Sequence, residues 1–276
     1  MKKIFTILII LLGINSSCSS KYTDTAEQIT TFYKQYISVL GEDYRKEKQL
    51  LAENITPNAL EKIYRDISST GANEIVRAQD TNDNMLKTVK AEHLEDDWYM
   101  VSYYWNSSKS SQITQIPLKA YLKDEKLQIS YIPHSCNGVK YGDKLLEFPS
   151  IGEISDISNE SGLQFLKSFY KLYLSYYCNM SLELYPNLKS LRSRFLTPNA
   201  LAQFKKSEDE YLFDCMDGFD LLIDDFDFDA MWYKSLKIDH LNGDNYSVSY
   251  NNGCKNIIIE LVVKKIDGNF VIDSLI

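Results

Sequence analysis

The chain repeats itself, and the repeat limits what it can fold into. Phe32-Tyr33-Lys34-Gln35-Tyr36-Ile37 returns as Phe169-Tyr170-Lys171-Leu172-Tyr173-Leu174. Ile55-Thr56-Pro57-Asn58-Ala59-Leu60 returns as Leu196-Thr197-Pro198-Asn199-Ala200-Leu201. His93-Leu94, with Tyr99, Val101, Ser102 and Tyr103 after it, returns as His240-Leu241 with Tyr246, Val248, Ser249 and Tyr250. The blocks keep their order at offsets of 137, 141 and 147 residues, which marks a duplication with small insertions in the second copy. The first copy covers residues 25–132 and the second 161–276, each a length ordinary for one domain. A connector covers 133–160, and residues 1–17 and a tether over 18–24 precede the first copy.

Each block has a physical reading. Asp24 with Glu27, and Ser161 with Gln164, have capping-box spacing, which predicts a helix start in each copy. Ile29, Phe32, Tyr36 and Leu40 then recur at helical spacing, as do Leu163, Leu166, Tyr170, Tyr173 and Tyr177. This predicts an amphipathic helix of about 15 residues. Thr56 and Thr197 suit an N-cap, and Pro57 and Pro198 fall at the first helical position, where a missing N–H costs nothing. Leu60, Ile63, Tyr64 and Ile67 would form the buried stripe of that second helix.

The period then changes to two. Tyr99, Val101, Tyr103 and Trp105 alternate with Trp98, Met100, Ser102 and Tyr104, predicting a strand with one buried and one amphipathic face. Turns at Glu95-Asp96-Asp97 and Asn242-Gly243-Asp244 pair it with a preceding strand, and two more strands follow in each copy. The expectation is an α+β chain of two tandem helix-helix-antiparallel-meander domains, each sheet wrapping its helices to bury one face. The connector is long for a plain linker, so residues 144–148 are expected to pack on a domain.

At the N-terminus, Lys2 and Lys3 precede an apolar run from Ile4 to Ile14, and Ser16 and Ser17 lead into Cys18. Spanning a bilayer takes about 20 apolar residues, so this run is too short. The arrangement resembles the bacterial lipoprotein signal, with Asn15 standing where an aliphatic residue is usual. That resemblance implies loss of residues 1–17, lipid on Cys18, and anchorage of the rest in the cell envelope, with the outer membrane as the expected site. Cys136, Cys178, Cys215 and Cys254 remain, with three complete pairings open to them and no metal-ligand spacing among them.

Charge narrows the partners. The net charge is −8, and without Lys2 and Lys3 there are 28 basic against 38 acidic residues, or −10. This disfavours nucleic acid and anionic surfaces and suits a basic protein. The acidic residues are densest at Asp214, Asp217, Asp220, Asp224, Asp225, Asp227 and Asp229. Asp225, Asp227 and Asp229 have the opening spacing of a calcium loop, but Ala230 replaces the turn glycine and Leu236 the bidentate glutamate. A solvated acidic face, or a docking surface for a basic partner, is expected instead. No metal or cofactor is implied.

The order of a Phe-Tyr-x-x-Tyr helix, a Leu-Thr-Pro helix, the pair Gln79-Asp80 and a strand meander resembles the bacterial family called domain of unknown function 3828. The similarity covers residues 25–132, and Ile223-Asp224-Asp225 stand in place of the pair in the second copy. The resemblance implies a fold similar to nuclear transport factor 2 and the cystatins, a curved sheet cupping a long helix, and no activity follows from a fold alone. With 20 tyrosines and three tryptophans, both strand faces are aromatic, and Trp98 and Tyr104 are candidates to line a binding surface. No catalytic signature is present, and His93 and His240 read as structural hairpin residues. The expected function is a non-enzymatic envelope lipoprotein binding a protein, such as a toxin it neutralises, or alternatively a glycan or small molecule. A hydrolase using Gln79, Asp80 and His93 is the third class.

Overall fold

The computed structural model describes residues 2–70, 72–107, 112–135, 141–213 and 219–276, with the side chains of 2–19, 68–70 and 208–213 left out. The Cys18 side chain, Cys136, Asp214, Cys215 and Asp217 therefore lie outside the described residues. The chain is α+β. The helices α1 (Lys2–Val39), α2 (Tyr44–Asn54), α3 (Pro57–Thr70) and α4 (Asp83–Thr88) precede the strands β1 (Lys90–His93), β2 (Trp98–Tyr104), β3 (Ile113–Lys123) and β4 (Lys126–Tyr131). The pattern recurs as α5 (Gly162–Cys178), α6 (Leu184–Phe195), α7 (Pro198–Phe213), α8 (Ala230–Tyr233), β5 (Lys237–Asn242), β6 (Asn245–Asn251), β7 (Asn256–Ile266) and β8 (Asn269–Leu275). Each sheet is an antiparallel meander in chain order.

Two compact units result. One holds Met1–Leu60 and Ile75–Ile132, the other Glu61–Glu74 and Pro133–Ile276. Most of α3, which the sequence blocks assign to the first copy, thus belongs spatially to the second unit.

The helices differ from expectation in two ways. Asp24 caps nothing, because α1 runs through it, and no glycine or proline interrupts residues 14–40. Ser161 does cap α5, its Oγ accepting from Gln164 N at 3.2 Å. The helices α2 and α6 went unread, since α2 buries only Leu51 and α6 only Leu184, Leu188 and Leu191, stripes too thin to stand out.

Equivalent bonds close each copy. Thr56 N donates to Ile129 O and Thr197 N to Ile272 O, both at 2.9 Å. Tyr103 OH donates to Val76 O at 2.6 Å and Tyr250 OH to Ile223 O at 2.5 Å. The residues after those acceptors, Arg77 and Asp224, take left-handed φ values of 50° and 48°. His93 Nε2 donates to Asp96 O at 2.9 Å and His240 Nε2 to Gly243 O at 2.8 Å. A carbonyl oxygen only accepts, so Nε2 carries the proton and each histidine staples its own hairpin.

In the first unit Ile29, Phe32, Tyr33 and Tyr36 are buried, and α1 lies against all four strands. In the second, Phe165, Phe169, Tyr170 and Tyr173 of α5 join Val248, Leu261 and Ile272 in the core. The β2 strand departs from its predicted half-burial, because Trp98 to Tyr103 are all buried. Trp98 is fully enclosed, edge-on to Tyr131 at 5.9 Å with the Lys119 ammonium 5.8 Å from its ring. It is a core residue and lines no surface. In the connector Leu146 is buried, and Pro149 O accepts from Asn179 Nδ2 at 2.9 Å. Cys178 is a buried free thiol, whereas Cys254 is disulfide-bonded.

Val76 and Ile223 are buried, so removing either tyrosine hydroxyl takes a hydrogen bond from an interior carbonyl. Tyr103→Phe and Tyr250→Phe should each cost about 1–2 kcal/mol in urea unfolding, while Tyr104→Phe at the surface should cost nothing measurable.

Candidate functional site

The predicted site residues fall in two places, one in each unit. In the second unit residues 225–229 lead into α8, which Asp229 caps through an Oδ1 that accepts from Met231 N at 2.8 Å. Asp229 Oδ2 accepts from His134 N at 2.9 Å and stands 3.2 Å from Lys62 Nζ. Lys62, Arg65 and Asp66 share one face of α3 through i, i+3 and i+4 spacing. Arg65 Nε donates to Asp227 Oδ1 at 3.0 Å, and Lys62 Nζ donates to Asp66 Oδ2 and lies 3.7 Å from Asp227 Oδ2.

All five side chains are buried, Lys62 to 2% exposure. Asp227 and Asp229 are therefore not part of the solvated acidic face that their sequence suggested. The cations that compensate them sit far upstream, Arg65 being 162 residues before Asp227. Phe226 and Phe228 are buried with them, so both faces of this segment are interior. Asp225 is half-buried, with Oδ1 accepting from Phe226 N at 2.8 Å, and among the described aspartates of the run Asp224 alone is exposed. Asp220 is also inside, accepting from Tyr173 OH at 2.6 Å and Tyr177 OH at 2.8 Å.

The electrostatics follow from that burial. Desolvation disfavours the Lys62 ammonium, yet Asp66, Asp229 and Asp227 outweigh it and hold its pKa above the usual lysine value. Burial raises Asp66 well above the carboxylate range against the pull of Lys62, with Asp227 and Glu74 adding to the rise. Asp227 is held below its ordinary value, because Arg65 and Lys62 together overcome its desolvation. Burial and the two cations thus push Asp66 and Asp227 in opposite directions within one cluster. Burial, then Lys62, lowers the His134 pKa, and the ring lies edge-on to Trp232 at 5.2 Å. The cluster is closed to solvent and ties α3 to the segment before α8. Sequence reading missed Lys62, Arg65 and Asp66 because the apolar stripe drew attention to Tyr64, which is exposed.

In the first unit the short helix α4 is tied to the end of β2. Asn82 Oδ1 caps α4 by accepting from Asn84 N and Met85 N, and its Nδ2 donates to Trp105 O at 3.1 Å. Asn84 Nδ2 donates to Tyr104 O at 2.8 Å. These bonds bring Gln79 and Asp80, both exposed just before α4, to the strand end that exposes Tyr104 and Trp105 at 42% each and Ile113 at 38%. Tyr104 and Ile113 are cross-strand partners. Alternation had placed Trp105 inside, but the strand stops at Tyr104 and the alternation stops with it. His93 lies opposite Tyr99 at the start of β2, about 16 Å of strand from Tyr104, so it forms no site with Asp80.

The second copy is polar at the equivalent strand end. Its partners there are Asn251 and Asn256, with Asn252 in the place of Trp105. The left-handed Arg77 and Asp224 also fix the alignment, placing Phe226-Asp227 opposite Gln79-Asp80 rather than residues 223–225. One position thus carries an exposed carboxylate in the first copy and a buried ion pair in the second.

Linkage gives opposite outcomes for the two aspartates. Asp66 is raised by folding, so its contribution to stability is complete below the carboxylate range and is lost as pH rises through its folded value. Asp66→Asn should match wild type at the acid end of the series and gain on it as pH rises above the carboxylate range. Asp227 is lowered, so its contribution is present above that range and is lost as pH falls. Asp227→Asn should lose about 3–5 kcal/mol at pH 7, measured by urea unfolding across a pH series.

No protein-family model matches the chain, and no curated protein matches it. Among solved structures, a protein of unknown function from Bacteroides thetaiotaomicron is 27% identical, the match covering 44% of this chain and 98% of that chain with a TM-score of 0.42.

Proposed function

We propose that this chain is a lipid-anchored binding protein of the bacterial cell envelope, with no catalytic role, which engages a protein partner through the Gln79, Asp80, Tyr104 and Trp105 end of its first unit. The carrying observation is the exposure of Tyr104, Trp105 and Ile113 side by side at one strand end, where the duplicate copy carries Asn251, Asn252 and Asn256. The fold does without those apolar groups in one copy, so their presence in the other is not a folding requirement. Large exposed aromatics beside carboxylates are the makings of a binding hot spot. Asp80 and Asp83 at the patch, and the −8 charge of the whole chain, suit a basic partner such as a toxin that the protein neutralises. The lipoprotein-like segment ending at Cys18 supports the location, and the anchor would hold the units at the membrane without a spanning helix.

Two measurements test this. Cys18→Ser should move the protein from the detergent phase to the aqueous phase on partitioning and abolish acyl labelling. The tagged chain, isolated from its own envelope, should retain a basic protein that Tyr104→Ala with Trp105→Ala releases, with affinity falling more than about tenfold. Retention of the same protein by the double variant would rule the surface out.

A further inference from the structure

In the second unit the connector crosses the start of α5 over residues 154–159 and leaves a cleft of about 620 Å³. Its floor is Phe165, fully buried. Phe195 at the end of α6 and Phe270 at the start of β8 stand beside it, their ring centroids 5.9 and 6.4 Å from that of Phe165. The walls are fastened. Asn159 Nδ2 donates to Gly268 O at 2.8 Å, Asn159 Oδ1 accepts from Phe270 N at 3.0 Å, and Ser158 N donates to Ser168 Oγ at 2.8 Å. A preformed cavity of this size matches the range of small-molecule sites, roughly 300–1,000 Å³.

Charge selects the occupant. Arg194 is the one cation among the described residues that line the cleft, exposed at its rim with its guanidinium carbon 5.7 Å from the Phe195 ring centroid. Lys265 adds a second positive charge over Phe270 at 5.1 Å. Asp267 is the one carboxylate among the lining residues, and it forms no ion pair with Arg194 among the described residues.

The first copy serves as an internal comparison. The paired bonds Thr56 to Ile129 and Thr197 to Ile272 align Glu53 with Arg194, Asn54 with Phe195 and Leu127 with Phe270, and the Phe-Tyr-Lys block aligns Gln28 with Phe165. There Gln28 Nε2 donates to Glu125 O and Gln128 Nε2 donates to Glu53 O, both at 3.1 Å, so polar side chains occupy the place. The same backbone is thus built without the three rings and with the opposite charge at the rim.

We infer that this cleft is a binding site for a small organic acid with a flat apolar body. The body lies between Phe195 and Phe270 over Phe165, and the carboxylate pairs with Arg194, whose planar fork suits it. The assignment is independent of the partner surface on the first unit. Titration calorimetry of the intact chain in lipid nanodiscs, with empty nanodiscs as blank, tests it using 2-naphthoate and the uncharged 2-naphthalenemethanol. Naphthoate should bind about tenfold more tightly than the alcohol. Arg194→Gln should bring naphthoate to the level of the alcohol without changing the unfolding transition, and Ile157→Trp, which fills the cleft from the connector, should abolish both. Tyr104→Ala should change neither. Failure of naphthoate to bind, or binding that Arg194→Gln leaves unchanged, overturns the assignment.

Discussion

An ammonium group taken out of water must find compensating charge within a few ångströms, and Lys62 finds it in Asp66, Asp227 and Asp229. That requirement organises the second unit. It fixes which face of α3 turns inward, where the segment before α8 must run, and why residues 61–74 belong with chain that lies far downstream. Apolar residues of similar volume could fill the space at no loss of stability, so such a cluster is better understood as a device for specificity. Lys62 and Arg65 meet Asp229 and Asp227 in one helix rotation only. The same position in α7 is Gln203, which solves a different problem: its amide donates to Leu275 O at 2.8 Å and accepts from Leu275 N at 2.9 Å, occupying groups at the exposed edge of β8.

How much of this was legible depends on where the partners of each residue lie. The Thr-Pro blocks, the hairpin histidines and Tyr103 with Tyr250 make bonds that the backbone needs in both copies, so the duplication displays them and the α+β meander could be read. The thinly apolar α2 and α6 carried too weak a period to register. The ionic cluster joins residues separated by 162 positions, and no local pattern encodes that pairing. A run of aspartates looks solvated until the cations opposite it are known. Of the candidate binding residues, Gln79, Asp80 and Tyr104 are exposed, the first two just before the Asn82 that bonds the end of β2, whereas Trp98 lies in the core because β2 is covered on both faces.

The two copies interpret one another. Residues they share maintain the backbone, and residues that only one carries are free of that duty. The first copy is aromatic at the end of β2, where the second has asparagines, and the second is aromatic around Phe165, where the first has glutamines. The surplus of tyrosine and phenylalanine is therefore not spread evenly over a common scaffold. Each copy places its unshared rings at a different point.

The passage of α3 from one unit into the other also bears on how the protein comes to exist. During synthesis Lys62 and Arg65 leave the ribosome long before Asp227 and Asp229, so this helix must wait in a partly finished state until its counter-charges arrive. Cutting the gene between its two sequence copies would not yield two autonomous domains, since the second half alone would hold Asp227 and Asp229 in its interior with no cation from α3. Duplication doubled the scaffold, and divergence then made the halves inseparable.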